Sequence, residues 1–297
     1  MKCDLCPRKC LVDRKKGEKG ICGQTENLKV ARAALHFWEE PCISGDAGSG
    51  AVFFSGCPLH CVFCQNENIA NGTVGKEISL ERLVDIFLEL QEKGANNINL
   101  VTPGHFVPQI VKALDQAKKE GLTLPVVYNT SSYETVDTIK RLEGYVDIYL
   151  PDFKYMSPVL SKKYSYAPDY AEVAKAAIAE MVRQTGKAVF VNGDEDNLIL
   201  SGTIVRHLTL PGCMADSMQI LKYLHETYGD MIYISIMNQF TPLSNLEKYP
   251  ELNRRITDEE YETLVDYAIE IGIENGFIQE GDTAEESFIP AFNAHVP

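Results

Sequence analysis

From residue 51 onward, short apolar strands alternate with amphipathic helices, and this alternation limits the possible folds more than any other feature. Apolar or β-branched runs predict six strands, at residues 51–54, 98–102, 126–130, 146–150, 203–210 and 232–237. Apolar residues at helical spacing predict helices at 79–93, 106–119, 133–142, 170–184, 215–228 and 258–271. Repeated alternation of this kind favours parallel strands with right-handed crossovers. We therefore predict an α/β fold, a full or partial barrel rather than two domains.

The first 50 residues differ from the rest because they are rich in cysteine and glycine and show little periodicity. They end in the run Ser44-Gly45-Asp46-Ala47-Gly48-Ser49-Gly50, which lacks the Gly-Lys-Ser/Thr of a phosphate loop. We predict that this run is a flexible connector. The predicted organisation is a Cys-rich N-terminal extension at 1–50, followed by the barrel and a C-terminal extension at 51–297.

Charge and hydropathy exclude two classes of partner. The chain has 28 Lys and Arg against 42 Asp and Glu, a net charge of −14, which is the wrong sign for non-specific nucleic-acid binding. No run of about 18 apolar residues predicts a membrane span. Residues after Met1 lack the apolar segment of a signal peptide, so we expect a cytoplasmic protein.

Seven of the nine cysteines form two clusters, which in a chain of this kind indicates metal ligands rather than disulfides. Directly after the first predicted strand, Cys57, Cys61 and Cys64 are spaced C-x3-C-x2-C. This spacing can direct three thiolates to three irons of a [4Fe–4S] cluster and leave the fourth iron without a cysteine. Alternatives are a zinc site completed by His60 or Cys42, or three buried cysteines without metal.

The second cluster lies at the N-terminus and has four thiols within 20 residues: Cys3, Cys6, Cys10 and Cys22. Four thiols at these spacings can enclose one zinc ion or ligate an auxiliary iron–sulfur cluster. A group without metal is the third possibility. Cys42 and Cys213 belong to neither cluster and are expected to be small apolar residues.

Polar residues follow several of the predicted strands, at the end of a barrel where catalytic residues lie. They are Thr102, His105, Asn129, Asp152, Lys154, Asn238 and Gln239. We expect them to share one rim with the Cys57 loop. The alternatives are a solvated Asp152–Lys154 surface pair and a hydrogen-bonded loop position for His105.

The Cys57–Cys64 motif, with Gly56 before it and Gln65-Asn66 after it, resembles the radical S-adenosylmethionine (SAM) superfamily, in particular pyruvate formate-lyase activating enzyme-like proteins. The resemblance extends from the N-terminal cysteines to Ser287-Phe288-Ile289-Pro290. It implies a partial (β/α)6 barrel with a [4Fe–4S] cluster and SAM as cofactors. The cluster would be ligated by Cys57, Cys61 and Cys64, and SAM would be cleaved reductively to methionine and a 5′-deoxyadenosyl radical.

The resemblance also assigns roles around SAM. Phe63 would lie against the adenine, unless it is ordinary core packing. Tyr128-Asn129-Thr130 stands where activating enzymes carry Asp-Thr-Asn, and Asp152 and Lys154 match their Asp-x-Lys near the SAM carboxylate. Arg206, in a strand that ends in Pro-Gly, would pair with that carboxylate, unless it is a solvated strand residue.

Two positions depart from the family pattern. Thr102-Pro103-Gly104-His105 stands where many members have Gly-Gly-Glu, so Thr102 or a backbone carbonyl would accept from the SAM amino group, and His105 would face the substrate. Gln239 stands where activating enzymes tend to place a histidine.

The function implied is abstraction of a hydrogen atom from a protein glycine, such as that of a glycyl radical enzyme, or from another substrate. A flavodoxin or ferredoxin type donor would supply the electron. The alternatives are radical modification of a small molecule or peptide, and a non-catalytic zinc or redox scaffold.

Overall fold

A computed structural model describes residues 2–193, 197–243 and 246–279, and one ten-stranded sheet runs through them. Its strands are, in chain order, β1 (Lys29–His36), β2 (Ser49–Phe54), β3 (Lys76–Glu77), β4 (Ile98–Val101), β5 (Val126–Thr130), β6 (Ile148–Pro151), β7 (Val189–Phe190), β8 (Ile199–Leu208), β9 (Tyr233–Met237) and β10 (Gly276–Ile278).

The order across the sheet is β10-β9-β8-β6-β5-β4-β2-β1-β3, and β7 pairs with β8 outside this path. Along this path, neighbouring strands are parallel from β10 to β2, whereas β1 is antiparallel to both β2 and β3. The sheet is not closed. The predicted α/β fold with a partial barrel is confirmed, and β10 adds a seventh parallel strand that the sequence analysis did not predict.

The helices are α1 (Pro41–Ser44), α2 (Glu67–Ala70), α3 (Leu80–Glu92), α4 (Val107–Lys119), α5 (Val136–Lys140), α6 (Pro158–Ser165), α7 (Tyr170–Thr185), α8 (Met214–Tyr228) and α9 (Asp258–Glu270). Among the described residues, none of these helices has the length and apolar character needed to cross a membrane. Helices α3 and α4 cover β2, β4 and β5 through buried side chains such as Phe87 and Ile110. A second apolar cluster joins α7, α8 and α9 to β8 and β9.

Several predicted bounds differ from the structure for local reasons. The helix predicted at 133–142 forms only as α5, and its start is set by the Thr135 side chain, which caps it by accepting from the Thr138 backbone N–H. The strand predicted at 146–150 begins at Ile148, and the strand predicted at 203–210 extends back to Ile199 and ends at Leu208. The predicted C-terminal extension beyond residue 279, including Ser287–Pro290, lies outside the described residues.

The prediction of a flexible connector at 44–50 is wrong. Ser44 ends α1, and Ser49 and Gly50 begin the fully buried strand β2. The Gly50 N–H donates to the carbonyl of Asn97 at 2.9 Å, and the Ser49 hydroxyl donates to the Asn97 side chain at 2.6 Å. Glycine is needed at residue 50 because of close packing, since a Cβ there would lie 2.7 Å from the Asn97 carbonyl oxygen and 3.1 Å from the Ala95 Cβ.

Gly50→Ala should therefore lower the free energy of unfolding by about 1–3 kcal/mol, the usual cost of overpacking a tight interior. Urea denaturation of the parent and the variant measures this difference. A variant with the parent's midpoint and slope would show that the 44–50 segment is free to move, as the glycine content alone indicates.

Candidate active site

A cavity of 270 Å³ opens at the carboxyl ends of the parallel strands. It is lined by every residue that the sequence analysis assigned to the loop cluster or to SAM: Cys57, Cys61, Phe63, Cys64, Thr102, Asn129, Asp152, Lys154 and Arg206. These residues follow or end β2, β4, β5, β6 and β8, because carboxyl ends of parallel strands share one edge of the sheet. The structure brings them together, while their roles toward a cofactor stay predictions.

The three thiols of the loop between β2 and α2 face this cavity and are free of disulfides. The Leu59 N–H donates to Cys57 Sγ at 3.4 Å, and the Ser165 hydroxyl donates to Cys61 Sγ at 3.0 Å. Burial, together with the neighbouring thiols, raises the pKa of Cys57 to about 11 and of Cys64 to about 12. Thiols in this setting stay protonated at neutral pH unless a bound cation compensates their charge, so the donor set fits an iron cluster.

Neither candidate for a fourth zinc ligand joins this group. His60 directs Nε2 to the Ile21 carbonyl oxygen at 2.7 Å. Cys42 packs in a separate apolar cluster with Ile43 and Val127. Among the described residues, no three His, Cys, Asp or Glu side chains are arranged to hold one metal ion. Three thiolates that each bind a different iron do not need that arrangement.

The Phe63 side chain borders the cavity and also belongs to the apolar core. Its ring lines the cavity and also packs edge-on against Tyr155 and Phe240, with centroids 6.4 Å and 5.9 Å away. The side chain is buried.

Arg206 is the centre of the charged network on the cavity wall. Its guanidinium donates to Asp152 Oδ1 at 3.0 Å, to Glu39 Oε2 at 2.9 Å and to Asn129 Oδ1 at 2.6 Å. Lys154 Nζ lies 2.6 Å from Asp152 Oδ2. The side chains of Arg206, Asp152 and Lys154 are 13%, 15% and 16% exposed, so the alternatives of a surface pair and a solvated arginine are wrong.

The electrostatics of this network keep Asp152 and Lys154 ionised. Burial by itself opposes the charge on Asp152, but Lys154 and Arg206 outweigh it and hold the pKa of Asp152 below its usual value. Burial likewise opposes the charge on Lys154, but Asp152 raises the pKa of Lys154. Two carboxylates and two cations at one cavity form a charge pattern that matches a ligand with both an amino and a carboxylate group.

Glu39, the second carboxylate, is not predicted from the sequence. It lies between β1 and α1 and accepts from Asn129 Nδ2 at 3.0 Å and from Asn99 Nδ2 at 3.1 Å, besides Arg206. Two neighbours, His36 and Trp38, also line the cavity. No spacing in the sequence indicates these residues, since their place depends on the antiparallel pairing of β1 with β2.

Thr102 lines the cavity in a left-handed backbone conformation, with φ at 55°. His105 does not line it, so the prediction that His105 faces the substrate is wrong. The imidazole is 2% exposed, with Nε2 2.7 Å from the Ser55 carbonyl oxygen. Burial lowers the pKa of His105 to about 3, so the ring is a neutral anchor between the loops after β2 and β4.

Glu134 is a buried carboxyl group one layer below the cavity. It accepts from the hydroxyl of Thr130, which lines the cavity. Burial, together with the charge of Asp152, raises the pKa of Glu134 to about 7 despite the Thr130 hydrogen bond.

The four N-terminal thiols gather outside the cavity. Cys6 and Cys22 are buried, and a Cβ on Gly20 would lie 3.5 Å from Cys10 Sγ and 3.6 Å from Cys22 Sγ. Burial and the proximity of Cys22, Cys10 and Cys3 raise the pKa of Cys6 to about 12.

Comparison with known proteins gives one family match and one related sequence. Residues 51–197 match the family model of the Radical SAM superfamily. The chain is 27% identical over 276 residues to an uncharacterised protein of Methanocaldococcus jannaschii, covering 90% of this chain and 74% of the relative.

Solved structures share the fold at low sequence identity. SuiB of Streptococcus suis, bound to S-adenosylmethionine, has a TM-score of 0.52 and 13% identity over 76% of this chain and 49% of its own. A spore photoproduct lyase mutant has a TM-score of 0.52 and 13% identity, with 83% and 79% covered. HydG, a maturase of the [FeFe]-hydrogenase, has a TM-score of 0.51 and 15% identity, with 78% and 52% covered. The chain spans about half the length of SuiB and HydG.

Arg206→Ala should lower the free energy of unfolding by about 3–5 kcal/mol, because it leaves the buried Glu39 carboxylate without a cation and Asp152 with Lys154 alone. Adding Glu39→Gln should restore part of this loss by removing one unpaired charge, which a double-mutant cycle in urea measures. The control is Arg82→Ala, which also breaks two carboxylate contacts, with Asp85 and Glu89, but between side chains that are 35%, 60% and 44% exposed; the expected cost there is below about 1 kcal/mol. Equal losses at the two arginines would contradict the network.

Glu134 should make stability fall as pH rises from about 4.5 to about 7, because the folded state retains a proton that the unfolded state releases. At about 1.4 kcal/mol per pKa unit, the full effect is about 3 kcal/mol. Buried histidines such as His105 and His207, whose pKa values are lowered, act in the opposite direction over this range. The measurement is therefore the difference between the parent and Glu134→Gln in denaturation at a series of pH values. A difference that is constant with pH would show that Glu134 has an ordinary pKa.

Proposed function

We propose that this chain, which belongs to the radical SAM superfamily, is an enzyme that cleaves SAM reductively and removes a hydrogen atom from a substrate. The observation that carries this proposal is that three free thiols and a buried network of two cations and two carboxylates face one cavity. The superfamily implies a [4Fe–4S] cluster and SAM as cofactors. A non-catalytic metal protein has no need for buried charges beside its thiols.

In this proposal Cys57, Cys61 and Cys64 hold the cluster. When bound, the cluster supplies a low-potential electron to the sulfonium of SAM, which gives methionine and a 5′-deoxyadenosyl radical. The protein orients the ligand and limits the access of water, since the charged side chains of Arg206, Asp152 and Lys154 are largely buried beside the half-buried thiols.

The charged network binds the amino-acid part of SAM. Arg206 and Lys154 attract its carboxylate, and the fixed fork of the arginine suits a planar anion. Glu39 and Asp152 attract its ammonium group, and Asn129 and Thr102 add neutral polar groups. Phe63 offers an aromatic face to the adenine.

We further propose that the substrate is a glycine of a separate protein, as for glycyl radical enzyme activases, and that a flavodoxin or ferredoxin type protein donates the electron. The motifs around Cys57, Asn129 and Asp152 support this class, while Thr102 and Gln239 differ from its pattern. Radical modification of a small molecule or peptide uses the same site residues and is the alternative.

The test is anaerobic reconstitution with iron and sulfide, then reduction with SAM present. Replacing Cys57, Cys61 and Cys64 together by Ala should abolish the visible absorbance of the loop cluster and the release of 5′-deoxyadenosine, because no ligand set then remains in the loop. Cys213→Ala, which removes a thiol outside both clusters, is the matched control and should keep both signals. Reductive SAM cleavage by the triple variant would refute the proposal.

A further inference from the structure

The four N-terminal thiols lie on a segment that has almost no core of its own. Among residues 2–27, the buried apolar residues are only Cys6 and Cys22, and the regular structure is one turn of 3-10 helix at Arg14–Lys16. Two backbone hydrogen bonds join Cys3 to Leu11 and Val12, and the Ile21 N–H donates to Cys10 Sγ at 3.2 Å. Segments this poor in apolar contacts usually need a metal or a disulfide to hold one shape.

The same segment is hydrogen-bonded to the loop that carries Cys57, Cys61 and Cys64. Arg8, between Cys6 and Cys10, donates through Nε to the Pro58 carbonyl oxygen at 2.8 Å and through Nη2 to the Leu59 carbonyl oxygen at 3.3 Å. Both carbonyls lie between the first and second loop cysteines.

A second set of contacts comes from the turn around Cys22. The Ile21 carbonyl oxygen lies 2.7 Å from Nε2 of His60, the residue before Cys61. At Gly56, the residue before Cys57, a Cβ would overlap the Cys22 carbonyl oxygen and lie 2.6 Å from Gln24 Cγ. The backbones of the two cysteine groups are therefore in direct contact.

A third connection runs through α6. Arg8 Nη2 donates to the Ser165 carbonyl oxygen at 3.0 Å, and the Ser165 hydroxyl donates to Cys61 Sγ at 3.0 Å. The Arg8 guanidinium also lies over the Tyr133 ring, 5.1 Å from its centroid.

We infer that Cys3, Cys6, Cys10 and Cys22 bind a thiolate-ligated metal centre, either zinc or an iron–sulfur cluster, and that this centre fixes the shape of the Cys57–Cys64 loop. The thiols are gathered but, within the described residues, not arranged around a single ion. Metal binding then draws the Cys6–Cys10 turn and the Gly20–Cys22 turn together, and each ligating thiol releases its proton to solvent. Those two turns carry Arg8 and Ile21, so closing them clamps the loop.

The inference takes from the proposed function only the identity of the loop, and its test does not use SAM cleavage. The full-length chain is purified and reconstituted without oxygen. Zinc and iron are counted by elemental analysis, and hydrogen–deuterium exchange is followed in the amides of residues 56–66. Cys3, Cys6, Cys10 and Cys22 are replaced together by Ser, with Cys213→Ser as the matched control.

We expect the fourfold variant to lose either one zinc or one set of cluster irons. We also expect exchange in 56–66 to accelerate by roughly tenfold or more, since several loop hydrogen bonds lose their support. The control should match the parent in both measurements. Unchanged zinc and iron would overturn the metal site, and a lost metal with unchanged loop exchange would overturn the coupling.

The variant Arg8→Ala/His60→Ala covers the case in which the fourfold variant does not fold. It keeps all seven clustered cysteines, so the N-terminal metal should be retained while exchange in 56–66 still accelerates. Arg82→Ala, at a surface arginine paired with Glu89 on α3, is its control. Parent-like loop exchange in Arg8→Ala/His60→Ala would refute the clamp, whatever the chain does with SAM.

Discussion

The guanidinium of Arg206 is buried, and a buried guanidinium is stable only when acceptors surround it. It takes them from three parts of the chain: Asp152 after β6, Asn129 at the end of β5 and Glu39 after β1. The backbone bridge between Asp152 and Arg206 aligns β6 with β8 at this level. One side chain thus fixes how three strand ends meet, and the geometry of the cavity follows from that alignment.

The parallel part of the fold and most of the cavity wall could be predicted from local sequence. Apolar runs mark buried strands, and the carboxyl ends of parallel strands must meet at one edge, so the pattern predicts Asn129, Asp152 and Lys154 on one rim. Arg206 is added by the resemblance of its strand to the family pattern. Glu39 and β1 could not be found this way. Strand β1 carries small and charged residues without clean alternation, and Glu39 reaches the site only because β1 pairs antiparallel with β2.

Gly50 and His105 show the limits of composition-based reasoning in two directions. A glycine-rich run suggests a flexible backbone, yet Gly50 is required because the Asn97 carbonyl oxygen lies too close for a side chain. The sequence leaves His105 either facing the substrate or hydrogen-bonded in its loop, and only the structure decides: the ring is buried, with Nε2 at the Ser55 carbonyl oxygen. Both outcomes depend on tertiary neighbours that no local pattern records.

The N-terminal 50 residues contribute to the site in two physically different ways. Glu39 contributes charge to the site. Without its carboxylate, the Arg206 guanidinium would be hydrogen-bonded to a single carboxylate, Asp152, which also pairs with Lys154. Arg8 and Ile21 give it shape, because their hydrogen bonds end on the backbone and His60 of the thiol loop. A loop of three half-buried thiols has little intrinsic preference for the one arrangement that suits a cluster, since each unligated thiol is a neutral, weakly bonding group. The arrangement of the three thiols therefore has to be fixed by rigid neighbours. In this fold those neighbours belong to the N-terminal segment that carries Cys3, Cys6, Cys10 and Cys22.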